Sequence, residues 1–344
     1  MAPPAISTQV QLVARPIGWP TAADFRTVRV ELPELEPGQV RVENEFISVD
    51  PYMRGRMNDA KSYAPPYALG ETMTGGAVGR VVRSASDALA VGDVVVHQQG
   101  WRDVAQGDAA GFRAVPEVAG VPLSANLGVL GMTAFTAYVG LLEVARLAAG
   151  DTVFVSGAAG AVGTMVGQIA RLCGAGRVIG SAGTPAKVAL LVDRYGFDAA
   201  FDYRDGDLAG QLAMAAPDGI DVYFDNVGGD HLEAAIGALR PGGRAALCGA
   251  ISQYNAIDPP VGPRNLSNLV TRGLTLTGFT VGSYLQHFPA FAARMSAWLA
   301  AGDVVFDETV VTGLDNSVDA FLALMHGANT GKMVVRTSGS LGQA

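Results

Sequence analysis

The chain has 344 residues, and at about 150 residues per domain this suggests two domains; 49% of residues are apolar and 16% charged, which excludes disorder as the main state. The net charge is −8 and no Lys/Arg cluster occurs, so the basic stripe of a nucleic-acid binder is missing. Two cysteines, Cys173 and Cys248, cannot build a disulfide framework, and no basic region followed by an apolar core opens the chain; a cytoplasmic protein without a signal peptide is expected.

The first third of the chain shows short β-type runs, Gln39–Val42, Gly76–Val82 and Asp93–His97, separated by "LEPGQ", "APPYALGE" and "LAVGD". Short strands punctuated by Gly and Pro at this spacing predict a barrel-like, mostly-β module. The longest uncharged stretch, Val118–Leu142, carries Pro122, Ser124, Asn126, Thr133 and Thr136, which fits a buried segment better than a membrane span. From about residue 125 the pattern changes. Leu127–Leu147 has helical spacing, Thr152–Val155 reads as a buried parallel strand, and a glycine turn, helix and strand follow. The alternation continues through helices at Lys187–Tyr195, Leu208–Ala215 and His231–Leu239, with strands "DAAFDY", "DVYFDN", "GRAALCGA" and "GLTLTGF" between and after them. Repeated βα units of this length predict a doubly wound α/β domain. The tail returns to mixed structure: helix Leu285–Ala301, strand Val304–Val311, helix Val318–Gly327 and strand Met333–Arg336.

The strongest local signal is Gly157-x-x-Gly160-x-x-Gly163, placed between a strand and a helix. Such glycines permit a tight turn, a close backbone approach to a pyrophosphate and close helix–strand packing. A lone glycine motif also occurs as a purely structural turn, but here the strand–turn–helix–strand context fits a dinucleotide. An NAD site places Asp or Glu about 20 residues on, where it grips the ribose. Between Asp151 and Asp193 no acidic residue occurs, and the second strand ends in "VIGSAGTPAK" with Ser181, Gly183, Thr184 and Lys187. A 2′-phosphate needs donors and positive charge, so NADP(H) is the expected cofactor; the alternative is that Lys187 only solvates a helix start.

"GAAGAVGTMVGQIARLCG", "AKVALLVDRYGFDAAFDYRD", "PDGIDVYFDNVGGDHLEAAI" and "GGRAALCGAISQYN" together resemble the medium-chain dehydrogenase/reductase superfamily. They are similar to its zinc-free branch of prostaglandin reductases (leukotriene B4 12-hydroxydehydrogenases) and 2-alkenal reductases. "SVDPYMRGRM" and "SYAPPYALGE" resemble the branch's bacterial, curcumin-reductase-like members. The resemblance runs over nearly the whole chain. It implies an α/β protein with a GroES-like mostly-β substrate domain over residues 1–125 and a Rossmann doubly wound parallel-sheet domain over 126–301. Residues 302–344 would return to the first domain. A homodimer, commonly built by continuing the Rossmann sheet, is also implied.

Carried over residue by residue, the resemblance places Gly160, Ala161, Val162 and Gly163 at the pyrophosphate and Lys187 and Tyr203 at the 2′-phosphate, beside the open Gly183 of the second strand's end. Asn226 would reach the cofactor from its strand end. Cys248, Gly249, Ala250, Ile251, Ser252 and Tyr254, with Phe279 and Val281, would line ribose and nicotinamide, and Asn329 in "GANTGK" would close over it. Thr271 stands where some members carry a tyrosine, so that role is not carried over, and "FTVGS" replaces "FVVYR" in the pocket segment.

No metal site is expected. "LGE" at Leu69–Glu71 has no histidine before the glutamate, residues 1–172 contain no cysteine, and His97, His231, His287 and His326 show no paired ligand spacing. The activity implied is NADPH-dependent reduction of the carbon–carbon double bond of small apolar enones and enals. Hydride goes to the β-carbon and a proton to the α-carbon, which requires a hydrogen-bond donor to the developing enolate. A neutral phenol suits that task, and the candidates are Tyr52, which could equally be a packing residue, then Tyr254 and Tyr63, for which packing is the favoured reading. Arg54 and Arg56 could bind an acidic substrate tail or simply be surface charges. A quinone reductase of the same superfamily and a non-catalytic NADPH-binding protein are the competing readings; neither nucleic acid nor a membrane is an expected partner.

Overall fold

The protein was analysed as a computed structural model, which describes residues 5–337. The chain divides into two compact units. Of the described residues, the first comprises 5–127, Glu308–Asn329 and 333–337; the second comprises Gly128–Asp307 and Thr330–Lys332.

The first unit is mostly β. Strands β1 (Ala5–Leu12) and β2 (Phe25–Leu32) pair antiparallel along their whole length. Strands β3 (Gln39–Ser48), β4 (Ala77–Ser84), β5 (Val94–His97), β6 (Val104–Asp108) and β7 (Arg113–Ala114) follow, with β14 (Glu308–Thr312) and β15 (Lys332–Arg336) supplied by the tail. Their sheet has the order β14-β15-β3-β4-β5-β7, and β6 pairs with the other half of β3. One strand thus serves two neighbours on the same side, which curls the sheet around Val40, Val42, Val81, Val95, Ala105 and Phe112. The curl requires Gly79, where a Cβ would lie 2.1 Å from the Glu43 carbonyl oxygen. Trp101 adopts φ 59°, a costly conformation for a non-glycine residue, and its fully buried ring stacks on Phe25 and meets Phe321 edge-on.

The second unit holds six parallel strands: β8 (Thr152–Val155), β9 (Arg177–Ala182), β10 (Ala199–Asp202), β11 (Ile220–Asp225), β12 (Leu239–Leu247) and β13 (Thr275–Gly278). Their order, β10-β9-β8-β11-β12-β13, reverses direction between β8 and β11. This is the Rossmann order, and its switch point lies where β8 and β11 end side by side. β8 is fully buried because helices cover both faces of a parallel sheet.

The helices of the chain are α1 (Tyr52–Arg56), α2 (Met132–Val139), α3 (Ala161–Leu172), α4 (Pro185–Asp193), α5 (Leu208–Ala215), α6 (Gly229–Ala238), α7 (Ser267–Arg272), α8 (Phe288–Ala301) and α9 (Ser317–Met325). The expected helix over Leu127–Leu147 is shorter: α2 starts only at Met132 and relaxes into a π-turn at Gly140–Val144. Gly140, where the π-turn begins, packs too closely for a side chain, since a Cβ would lie 2.5 Å from the Phe224 ring. The strand expected at Val304–Val311 begins four residues later, at Glu308. Among the described residues no helix is long and apolar enough to cross a membrane.

Candidate functional site at the sheet switch point

The glycine turn opens at the end of β8. Gly157 has φ 58°, and Gly160 caps α3 without any side-chain hydrogen bond. The first-turn N–H groups of Ala161, Val162 and Gly163 therefore point out of a helix end carrying the positive end of its dipole. Gly163 faces inward: a Cβ there would lie 2.5 Å from the Gly157 carbonyl oxygen and 2.6 Å from Ala158 Cα. A Cβ at Gly160 meets only the Gly157 oxygen, at 3.4 Å, so that face of the turn is open. Gly331 stitches the turn from behind by donating its N–H to the Ala159 carbonyl at 2.9 Å.

At the end of β9 the structure gathers a second set of groups. Thr184 caps α4, its hydroxyl accepting the Lys187 N–H at 3.3 Å. The Tyr203 hydroxyl covers Gly183, where a Cβ would sit 2.9 Å from that oxygen. The guanidinium of Arg204 lies 5.9 Å from the centroid of the Tyr203 ring. Burial lowers the Lys187 ammonium below its ordinary value, and the positive charge of Arg204 adds to the shift. A cation disfavoured by a second cation is relieved by an anion between them. Ser181 Oγ and His231 Nε2 are buried and have no hydrogen-bond partner among the described residues, and His231 meets the Tyr203 ring edge-on at 5.1 Å. Burial holds the His231 imidazole down to about 4, so this ring is neutral at pH 7. Arg204 escaped the sequence reading, although it directly follows Tyr203.

Beyond β11 and β12 the expected loop residues come together. Asn226 donates its amide to the Ser156 carbonyl at 2.8 Å. The next loop is hydrogen-bonded onto this one, through Ile251 N–H to Asn226 O and Ser252 N–H and Oγ to Val227 O. Gly228, at φ 69°, leaves no room for a side chain: a Cβ would meet Ala250 Cβ at 2.9 Å. Cys248 and Gly249 donate their N–H groups to the Asp225 carbonyl. Burial pushes the Cys248 thiol up to about 12, so it stays protonated. The hydroxyl of Tyr254 is engaged locally, accepting the Ala250 N–H at 3.3 Å. Phe279 is edge-on to Phe224 and Tyr284, and Val281 opens the 3₁₀ turn that follows.

The other candidate tyrosines, Tyr52 and Tyr63, and Asn329 belong to the first unit. Tyr52 opens α1, and Tyr63 is 69% exposed. Burial, then the charge of Asp50, raise the Tyr52 phenol well above its ordinary value, so it is a neutral donor at any working pH. Tyr67, which the sequence did not single out, is buried next to it and gives its proton to the Thr74 carbonyl at 2.7 Å. Neither arginine is a free surface charge. Arg54 is buried against the carbonyls of Pro16 and Gly18 and the Asn58 amide oxygen. Arg56 bonds to Pro65 O and Thr74 Oγ1 and stacks at 4.1 Å over the Tyr67 ring. Asn329 is buried. Among the described residues no group of three or more His, Cys, Asp or Glu side chains could hold a metal ion.

Comparison with known proteins matches residues 8–115 to the family described as the N-terminal domain of oxidoreductase and residues 161–298 to the one described as zinc-binding dehydrogenase. The NADPH-dependent curcumin reductase of Escherichia coli is 38% identical over 95% of this chain and 96% of its own. The NADP(+)-dependent 2-alkenal reductase of Nicotiana tabacum is 39% identical over 98% and 99%. The chain belongs to the medium-chain dehydrogenase/reductase family. A solved member, CurA from Vibrio vulnificus in complex with NADPH, superposes with a TM-score of 0.90 at 42% identity, covering 97% of this chain and 100% of its own.

The residues present fit the dinucleotide of this family on geometry alone. The open, uncapped helix end at Gly160 suits a pyrophosphate, and the cations Lys187 and Arg204 beside Tyr203 suit a phosphate. Gly163→Ala tests the turn. Its Cβ would have to displace backbone atoms, so we expect a loss of at least about tenfold in NADPH affinity together with lower stability. Unchanged fluorescence titration of NADPH would contradict this reading of the turn.

Proposed function

We propose that the protein is an NADPH-dependent reductase of the carbon–carbon double bond in α,β-unsaturated ketones and aldehydes. The observation that carries this reading is the end-to-end likeness to an NADPH-dependent curcumin reductase and an NADP(+)-dependent 2-alkenal reductase. The phosphate-suited cluster of Lys187, Arg204 and Tyr203, with no carboxylate at the end of β9, supports NADPH over NADH.

Bound NADPH supplies the hydride that adds to the β-carbon of the acceptor. The chain itself holds the pyrophosphate on the N–H groups of Ala161, Val162 and Gly163 and the 2′-phosphate on Lys187, Arg204 and Tyr203. Asn226, the Cys248–Ser252 loop, Phe279, Val281 and Asn329 orient the ribose and the ring. Tyr52 donates a hydrogen bond to the carbonyl oxygen as negative charge develops there, which a phenol kept neutral by burial can do without losing its proton. Tyr63 and Tyr254 are second to it, the one by exposure and the other because its hydroxyl already serves its own loop.

The two free cysteines support a reducing, cytoplasmic location. A homodimer is also proposed. β13 is an edge strand, and the segment leading to it exposes Ile257, Val261 and Val270, the last at 86%. Light scattering is expected to give twice the 35.4 kDa mass of one chain; a single-chain mass would refute the dimer.

The function is tested by following NADPH oxidation against 4-phenyl-3-buten-2-one, trans-2-nonenal, curcumin, a benzoquinone and a saturated aldehyde. Turnover of the enones and the enal is expected, and turnover of the quinone alone would move the protein to another branch. Lys187→Ala should raise the KM for NADPH by about tenfold or more and leave that for NADH almost unchanged; equal losses would remove the 2′-phosphate assignment. Tyr52→Phe should lower kcat by about a hundredfold with NADPH binding intact. An unaltered kcat would return Tyr52 to a packing role.

A further inference from the structure

Asp225 ends β11 at the switch point and is 2% exposed. A single oxygen of its carboxylate, Oδ1, collects four donors. The Tyr223 hydroxyl lies at 2.7 Å, the Ser156 hydroxyl at 3.2 Å, and the N–H groups of Val227 and Gly228 at 3.0 and 2.8 Å. Tyr223 has one proton, and the shorter contact assigns it to Asp225 rather than to Ser156 Oγ at 3.0 Å. Ser156 Oγ is then free to accept the N–H of Asn226, at 3.0 Å. The main-chain carbonyl of the same Asp225 takes the N–H groups of Cys248 and Gly249, at 2.9 and 3.0 Å. One residue therefore ties together the ends of β8, β11 and β12, and Tyr223 and Ser156 are themselves fully buried.

A buried carboxylate is an expensive way to brace a sheet, since an apolar side chain of similar size is often as stabilising. Burial pushes this carboxyl above the ordinary carboxylate range, and the four donors only oppose that push. What an apolar residue could not do is satisfy the N–H groups of Val227 and Gly228, which the tight turn at Gly228 leaves without a backbone partner. These are the residues between Asn226 and the loop stitched to it.

We infer that Asp225, with Ser156 and Tyr223, is a positioning residue for the cofactor, fixing the spacing between the glycine turn and the loops of Asn226 and Cys248–Gly249. This rests on the NADPH reading above. Asp225 touches no reacting atom; it acts through the loops it holds.

The test is NADPH titration and steady-state kinetics on the full chain, with thermal melts alongside, for Asp225→Ala, Asp225→Asn and Tyr223→Phe. Asp225→Ala strips the acceptor from two buried N–H groups and should raise the NADPH Kd and KM by about tenfold, with kcat at saturating NADPH changed by less than about threefold. Asp225→Asn keeps an acceptor oxygen for the same N–H groups and should recover most of that loss. Tyr223→Phe removes one donor to Oδ1 and should weaken NADPH binding by about threefold. A folded Asp225→Ala protein with a lowered melting temperature and the wild-type Kd would overturn the inference, leaving a bracing role alone. If that variant does not fold, a wild-type Kd in Tyr223→Phe overturns it instead. Wild-type protein that binds no NADPH would overturn the cofactor reading and this inference together.

Discussion

Everything at the switch point depends on how closely α3 approaches β8. The backbone of Gly163 lies against Gly157 and Ala158 with no space for a Cβ, and that contact aims the first turn of α3 at the open face of Gly160. A methyl group at this position would push helix and strand apart and rotate three N–H donors off a common target. Gly167, one turn on, repeats the constraint: a Cβ there would strike the Phe197 ring at 2.1 Å. The open helix end is thus a consequence of close packing as much as of glycine flexibility.

On the proposed reading, selectivity between dinucleotides is set elsewhere, at the end of β9. Burial, and then the charge of Arg204, lower the Lys187 ammonium, and buried Ser181 and His231 present polar atoms without hydrogen-bond partners among the described residues. A bound phosphate would oppose both effects on Lys187. The scheme matches the general observation that binding sites keep strain which the remaining fold stabilises.

The local parts of this architecture were legible in the sequence. Thr152–Val155 and Leu208–Ala215 form the strand and the helix that their patterns predict, because burial on both faces and helical spacing are properties of a few consecutive residues. Lys187 and Tyr203 stood out through the missing carboxylate and the family resemblance. Arg204, Tyr67 and the Ser156–Tyr223–Asp225 network did not. Arg204 looks like any surface arginine until the fold sets its charge near Lys187 and its guanidinium 5.9 Å from the Tyr203 ring centroid. Ser156 and Asp225 meet only because β8 and β11, about 70 residues apart, pair in a particular register. The sequence leaves Arg54 and Arg56 open between an acidic substrate tail and a surface charge, yet main-chain carbonyls of Gly18 and Pro65 claim them, and no periodicity reports that.

The measurement that bears most directly on the account is the fate of the transferred hydrogen. With NADPH deuterated at the nicotinamide C4 position and 4-phenyl-3-buten-2-one as acceptor, the account predicts a saturated ketone carrying deuterium at the β-carbon and a solvent-derived hydrogen at the α-carbon, as read by NMR and mass. Deuterium on the carbinol carbon of an allylic alcohol would contradict it, because the chain would then be reducing the carbonyl instead of the double bond.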